Sequence, residues 1–278
     1  MLQPSDAHHW TERQAHEKFK GAKVIQWDPS GPDRGDVVYK LDGATASKVI
    51  YHYPEPDEHR ELLAMRLVYE QTTIPVPRVY RLVYEPEAQG YAHIVMDYIP
   101  GQRLDIAWPT LSLWSKMRVV WVLRSYIRQL REIRHPRSSV PGPLGPGLTP
   151  LRCPGPTLNP FDEEGPFPDT ETLNVFMNRR ASAIRGNGVP IEFTKPEPLV
   201  FVHNDLHMGN IILGNDGRVW LLDWECAGFY PQLFEYTAMF HQCEEHDLYR
   251  APMSFRRCIP FIANPYFGRY RWLAGCSP

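Results

Sequence analysis

The densest run of chemically competent side chains is VFVHNDLHMGNIILGNDGRVWLLDWECAG, residues 200–228. Two acids and an amide stand out in it: Asp205, Asn210 and Asp223. IILGNDGRVWLLDW reads as a strand, an Asn-Asp-Gly turn and a second strand, the pattern of a β-hairpin. A hairpin brings its two ends together, so Asn210 at its entry and Asp223 at its exit are expected side by side. An amide oxygen and a carboxylate at one spot are hard donors, suited to Mg2+. Asp205 falls in the preceding loop, a few residues from that pair, free to take a proton or orient a hydroxyl. His203, Asp205 and His207 alternate, a spacing that zinc could also use. A zinc site would leave the Asn210–Asp223 pairing without a purpose.

Other elements must hold that loop. LVFVH at 199–203 reads as a short buried strand that delivers it, and FEYTAMFHQCEEHDLY reads as a helix that follows the hairpin. Upstream, 36–41 (DVVYKL) and 45–51 (TASKVIY) read as two strands joined by a turn at Asp42-Gly43. Pro54 and Pro56 then stop the chain. Asp57 is placed to cap a helix running to about Gln71, with Glu58 and Glu61 in its first turns, where the helix dipole favours negative charge. TTIPVPRVY is an extended connector, and RLVYEP and YAHIVMDYI are two more strands around a turn near Ala88-Gln89-Gly90. After Pro100-Gly101 the period changes. Leu113, Met117, Val120, Leu123, Ile127, Leu130 and Ile133 recur every three or four residues, one apolar stripe on a long helix. Prolines crowd 136–168, which reads as a loop rather than a packed element. Asp169 opens a helix over 169–184, and the tail, 251–278, shows no clear element. Strands first and helices second give an α+β fold of two lobes, with the boundary near 98–101.

Composition sets the outer limits. The chain has 278 residues, 43% hydrophobic and 22% charged, ordinary for a globular protein with a sizeable core. A net charge of −2 gives no sign of a nucleic-acid partner. No apolar run approaches the roughly 18 residues that a membrane span needs. The opening, MLQPSDAHHWTERQAHEKFK, lacks the apolar core of a secretory leader. Five scattered cysteines without a CxxC pair fit a reduced, cytoplasmic setting. No specific protein partner is indicated.

The 200–225 segment resembles a known family. An HxDxxxxN loop, a hairpin and an Asp look like the catalytic loop and metal-binding aspartate of protein kinases. The nearer resemblance is to the aminoglycoside phosphotransferase and choline kinase-like family, whose loop has the form HxDLHxxN and whose hairpin closes on Asp, an aromatic residue and Glu. His203-Asn204-Asp205-Leu206-His207-Met208-Gly209-Asn210 and Asp223-Trp224-Glu225 fit that form. Pro75–Val79, IVMDYIPG at 94–101 and LDIAW at 104–108 look like fungal-type members. The resemblance spans roughly 35–240.

It implies a protein-kinase-like fold, with a small β-rich N-lobe over 1–98 that binds nucleotide and a larger helical C-lobe over 99–278. It also implies transfer of the γ-phosphoryl of Mg-ATP, with GTP as an alternative donor, to a small hydroxyl-bearing acceptor, cationic ones included. By position, Asp205 resembles the catalytic base, and Asn210 and Asp223 the Mg2+ ligands. Lys48 resembles the lysine on the α- and β-phosphates, and Glu61 its positioning partner. Met96, Asp97, Tyr98 and Ile99 resemble the hinge whose backbone holds adenine. Lys40 competes with Lys48 for its role. Trp224, Phe229, Tyr230 and Tyr236, with Glu225 and Glu235, are candidates to line a cationic acceptor's pocket. Between Trp27 and Asp36, where a kinase carries a glycine-rich loop, only Gly31 and Gly35 occur. Few residues follow Glu225, and family members often carry more helix there. The alternative is therefore a kinase-like nucleotide-binding module with impaired turnover.

Overall fold

The computed structural model describes residues 5–26, 37–51, 59–84, 91–159, 162–185, 197–244 and 251–266. It opens on α1 (Glu12–Lys20), started by a reciprocal capping box between Thr11 and Gln14. The strands β1 (Lys23–Gln26), β2 (Val38–Lys40) and β3 (Thr45–Tyr51) follow, then α2 (Arg60–Gln71), β4 (Val79–Tyr84) and β5 (Tyr91–Asp97). The five strands form one antiparallel sheet in the order β1-β2-β3-β5-β4. Both expected strand pairs are present. β1 and α1 are additions that the apolar pattern does not announce, because KVIQ is short and α1 is mostly polar. His59 stands at the N-cap of α2. The expected cap Asp57, the acid Glu58, the turn at Ala88-Gln89-Gly90 and the segment with Gly31 and Gly35 lie outside the described residues.

The chain then runs through β6 (Gly101–Arg103), α3 (Leu104–Ala107), α4 (Leu113–Glu132), β7 (Gly142–Pro143), α5 (Thr170–Arg185) and β8 (Leu199–Val202). After the site loop come β9 (Ile211–Gly214), β10 (Val219–Leu221), β11 (Gly228–Pro231), α6 (Leu233–Glu244), α7 (Met253–Arg256) and α8 (Ile259–Ala263). The strands make two small sheets, β10-β9-β6 and β7-β11-β8. β6 joins the chain just after the hinge to the hairpin, through Gly101 opposite Gly214. A Cβ at Gly101 would stand 2.3 Å from the Leu213 carbonyl oxygen, so only glycine allows that approach. One large core runs from Val68 and Ile74 beneath the first sheet through Leu123 and Ile127 of α4 to Trp224 and Phe255. Among the described residues no helix is long and apolar enough to cross a membrane.

Three expectations need correction. The apolar stripe of α4 is buried from Val120 to Leu130, but Leu113 is 72% and Met117 43% exposed, because the first turns overhang the core. The proline-rich stretch is packed. Its Leu144, Cys153, Leu158 and Phe167 are buried, Gly142 and Pro143 pair with β11, and Cys153 bridges to Glu164. Proline prevents a long element, but it does not prevent two-residue pairings or burial of the side chains between. The tail forms α7 and α8, whose Phe255, Ile259 and Ile262 close the core beside α4 and α6. Elements of four and five residues are too short to show a helical period.

Candidate active site

Lys48 sits on β3, buried to 4% exposure, where its ammonium has lost its hydration shell and must be paired within the protein. Its ammonium is matched by two carboxylates. Glu61 of α2 receives it at 3.1 Å and 3.0 Å on its two oxygens, and Asp223 receives it at 2.8 Å. Glu61 also accepts a hydrogen bond from the Trp224 amide at 3.4 Å, so α2, β3 and the end of the hairpin are tied at one point. Burial alone would raise the pKa of Asp223. The adjacent Lys48 ammonium outweighs that and holds the carboxyl below its ordinary value. Lys40 shares a face with Ala46 and Lys48, as the pairing of β2 with β3 requires. It reaches the Tyr98 ring instead, at 3.9 Å from the centroid.

The hairpin does what its sequence promises. Leu222 donates its amide to the Asn210 carbonyl at 2.9 Å, closing the two ends beside each other. Asp223 then adopts φ 62°, a left-handed conformation that Asp tolerates better than most residues. Asn204 does the same at φ 59° on the other side of the loop. Non-glycine residues in this region cluster where a site over-determines the backbone. Asn210 spends its amide nitrogen on Asp205, at 3.0 Å to the carbonyl oxygen and 3.1 Å to Oδ2. The Asn210 side-chain oxygen is thereby the atom left for a cation.

A cleft of about 660 Å3, counting the solvent at its mouth, runs from the hinge to this cluster. Ile25, Val38 and Ala46 form one wall and Ile212 and Leu222 the other. Met96, Asp97, Tyr98 and Ile99 line one end, and Lys48, Glu61, Asn210 and Asp223 the other. Apolar walls with a few convergent polar groups are the usual make-up of a small-molecule site. Along the hinge, Asp97 donates its amide to the Arg78 carbonyl at 3.1 Å and Tyr98 to the Ala44 carbonyl at 2.8 Å. The Asp97 carboxylate accepts from the Arg78 amide at 3.0 Å and from the Tyr80 hydroxyl, so it braces the hinge rather than facing a ligand. Asp205 does not line the cleft itself, and is joined to it through Asn210.

Elements behind the loop fix its shape. His203 is fully buried, and burial lowers its pKa to about 4. Neutral imidazole donates from Nε2 to the Leu222 carbonyl at 2.9 Å, so His203 braces the loop against the end of the hairpin. Glu235 of α6 accepts the backbone amides of His203 at 2.7 Å and Asn204 at 3.4 Å. The proline-rich stretch contributes too. Asn204 donates to the Pro154 carbonyl and accepts from Thr157, both at 3.2 Å. Gly155, at φ 113°, lies so close that a Cβ there would stand 2.4 Å from the Asn204 amide nitrogen.

Glu235 is thus buried under the loop and does not line an acceptor pocket. Trp224, Phe229, Tyr230 and Tyr236 are core residues at 1% exposure or less. Of the acids proposed for that pocket, Glu225 remains at the surface of the cluster, its carboxylate grouped with those of Glu61 and Asp223 within 4.8 Å. Sequence reasoning missed the cleft walls and the support from α6. The walls are apolar strand residues like any others, and side chains meeting across the core leave no local signal.

Glu235 carries a pH prediction. Burial raises its pKa to about 7 from an ordinary 4.5. Folding therefore takes up a proton between about pH 4.5 and pH 7, and stability falls as pH rises through that window. His203, lowered from 6.5, acts in the opposite sense over a lower range. The Glu235→Gln variant keeps an oxygen for both amides and loses the charge. Relative to wild type it gains about 2 kcal/mol on going from pH 5 to pH 7.5. Urea midpoints at the two pH values measure this, and equal shifts for both proteins contradict it.

Comparisons with known proteins bear on the fold. Residues 170–263 match the model of the phosphotransferase enzyme family, a stretch that holds the site loop, the hairpin and α5 to α8. No curated protein matches the chain. Solved structures do, at low identity. A thermostable mutant of aminoglycoside phosphotransferase APH(4)-Ia, in ternary complex with ADP and hygromycin B, is 18% identical over 96% of this chain and 88% of its own, with TM-score 0.55. The streptomycin–ATP–APH(2")-IIa ternary complex is 15% identical over 100% and 89%, with TM-score 0.52. The GDP complex of an aminoglycoside 2'-phosphotransferase-IIIa mutant is 12% identical over 94% and 83%, with TM-score 0.55. The chain therefore has the α+β, kinase-like fold of the aminoglycoside phosphotransferases.

Proposed function

We propose that this chain is a phosphotransferase that moves the γ-phosphoryl of Mg-ATP, or of GTP as an alternative donor, to a hydroxyl of a small molecule. One observation carries the reading. Lys48, held between Glu61 and Asp223, ends an apolar cleft that begins at a kinase-like hinge, with Asn210 and Asp205 next in line. The family match over 170–263 and the nucleotide complexes of the structural neighbours support it. The fungal-type resemblance rests on sequence alone. In this reading residues 1–98 form the nucleotide lobe and 99–278 the catalytic lobe.

The base stacks between Ile25, Val38 and Ala46 above and Ile212 and Leu222 below. Its polar edge meets the Ile99 amide and the hinge carbonyls, since the Asp97 and Tyr98 amides are already used. Lys48 neutralises phosphate oxygens, and Glu61 holds it there. The donor set fits a hard divalent cation: the Asn210 oxygen, the Asp223 carboxylate, and three grouped acids against a single lysine. Mg2+ held by Asn210 and Asp223 would supply charge neutralisation on the phosphates. Asp205 accepts the proton of the acceptor hydroxyl as the new P–O bond forms and the bond to the β-phosphate oxygen breaks. Phosphoryl transfer of this kind is mostly positioning and charge neutralisation. The surplus negative charge around Glu225 and Asp223 favours cationic acceptors.

The test is ADP release from Mg-ATP and Mg-GTP with a panel of aminoglycosides, choline, ethanolamine, amino sugars and neutral sugars, at low and high salt. Turnover on cationic members, weakened by salt, is expected. Turnover on neutral sugars alone contradicts the cationic preference. Nucleotide binding with no turnover on any acceptor supports the impaired module instead.

A further inference from the structure

Gln242, near the end of α6, donates from Nε2 to Oδ1 of Asp205. Asn210 occupies the other oxygen, Oδ2, from within the loop. Both oxygens of the proposed base are therefore gripped by amide donors, one local and one from a helix that follows the hairpin. Gln242 and Glu235 are seven residues apart on α6, a spacing that returns to the same helical face after about two turns. One face of α6 thus holds the loop twice, through the amides of His203 and Asn204 and through the Asp205 carboxylate. The orientation of the Gln242 amide follows from its partner, because a carboxylate requires a donor. The Gln242 oxygen points away, and it is buried with no hydrogen-bond partner among the described residues.

We propose that Gln242 is a positioning residue for phosphoryl transfer, acting through Asp205: it fixes the carboxylate so that a lone pair stays directed at the acceptor hydroxyl. This rests on the phosphotransferase reading above and extends it to a residue outside the loop. The role predicts a particular order of substitutions. Gln242→Ala removes the donor to Oδ1 and leaves the carboxylate held from the Oδ2 side by Asn210, which loosens its orientation. Gln242→Glu keeps the shape, removes the donor and adds a like charge against Asp205. A residue that merely fills space gives the reverse ranking, since the isosteric change should then be the milder one.

The experiment compares wild type, Gln242→Ala and Gln242→Glu at pH 8. Two rates are read, Mg-ATP hydrolysis with water as acceptor and ADP release with streptomycin or hygromycin B. Thermal shifts with Mg-ATP confirm that each variant is folded and loaded. The expected result is kcat down about tenfold for Ala and further for Glu, with the Mg-ATP KM changed by no more than about twofold. Rates equal to wild type, or a Glu variant better than Ala, overturn the role of Gln242 alone. No hydrolysis and no transfer by wild type to any acceptor of the panel above overturns the phosphotransferase reading, and this inference with it.

Discussion

Replacing Asp205 by Asn lowers phosphoryl transfer by on the order of 100- to 10,000-fold while the chain folds and takes up Mg-ATP as before. The loss follows from removing the group that accepts the hydroxyl proton. Retained folding follows from the surroundings. An Asn side chain keeps one oxygen for the Asn210 amide, which donates at 3.1 Å, and its new amide nitrogen can donate to Gln242 once that side chain turns over. Asp205 is also outside the cleft lining, so nucleotide contacts are untouched. Single-turnover transfer and nucleotide titration on the same preparation separate the two effects. A variant that turns over at the wild-type rate removes Asp205 from the mechanism.

Much of this arrangement was legible in the residues. The hairpin argument placed Asn210 beside Asp223, and the Leu222–Asn210 bond closes it as expected. The choice of Lys48 over Lys40 needed more than sequence. Both lysines lie on the same face of paired strands, and only the depth of the cleft and the position of α2 give Glu61 to Lys48. Long-range packing was opaque for the same reason. Nothing in PGPLGPGLTPLRCPGPT says that Pro154, Gly155 and Thr157 will lock around Asn204. Nothing in FEYTAMFHQCEE says that Glu235 is a buried acid while Gln242 reaches a loop residue 37 positions away. Period and turn chemistry report what a segment does with itself. The identity of its partners is decided by topology.

The second large effect concerns the cation. Asp223 is the charged member of the proposed Mg2+ pair, and the Asn210 oxygen alone is a weak ligand. Asp223→Asn is the informative change, because Asn tolerates the φ of 62° that Ala would adopt only under strain. Lys48 keeps Glu61 at 3.0 Å, so no buried charge is stranded and the fold survives. What disappears is the carboxylate, and with it about 100-fold or more in Mg-nucleotide affinity. Isothermal titration of ATP, with and without Mg2+, into wild type and Asp223→Asn measures this directly. The account predicts tight, Mg2+-dependent binding by wild type and weak binding by the variant that Mg2+ no longer improves. Equal affinity in the two proteins, or wild-type binding indifferent to Mg2+, contradicts it.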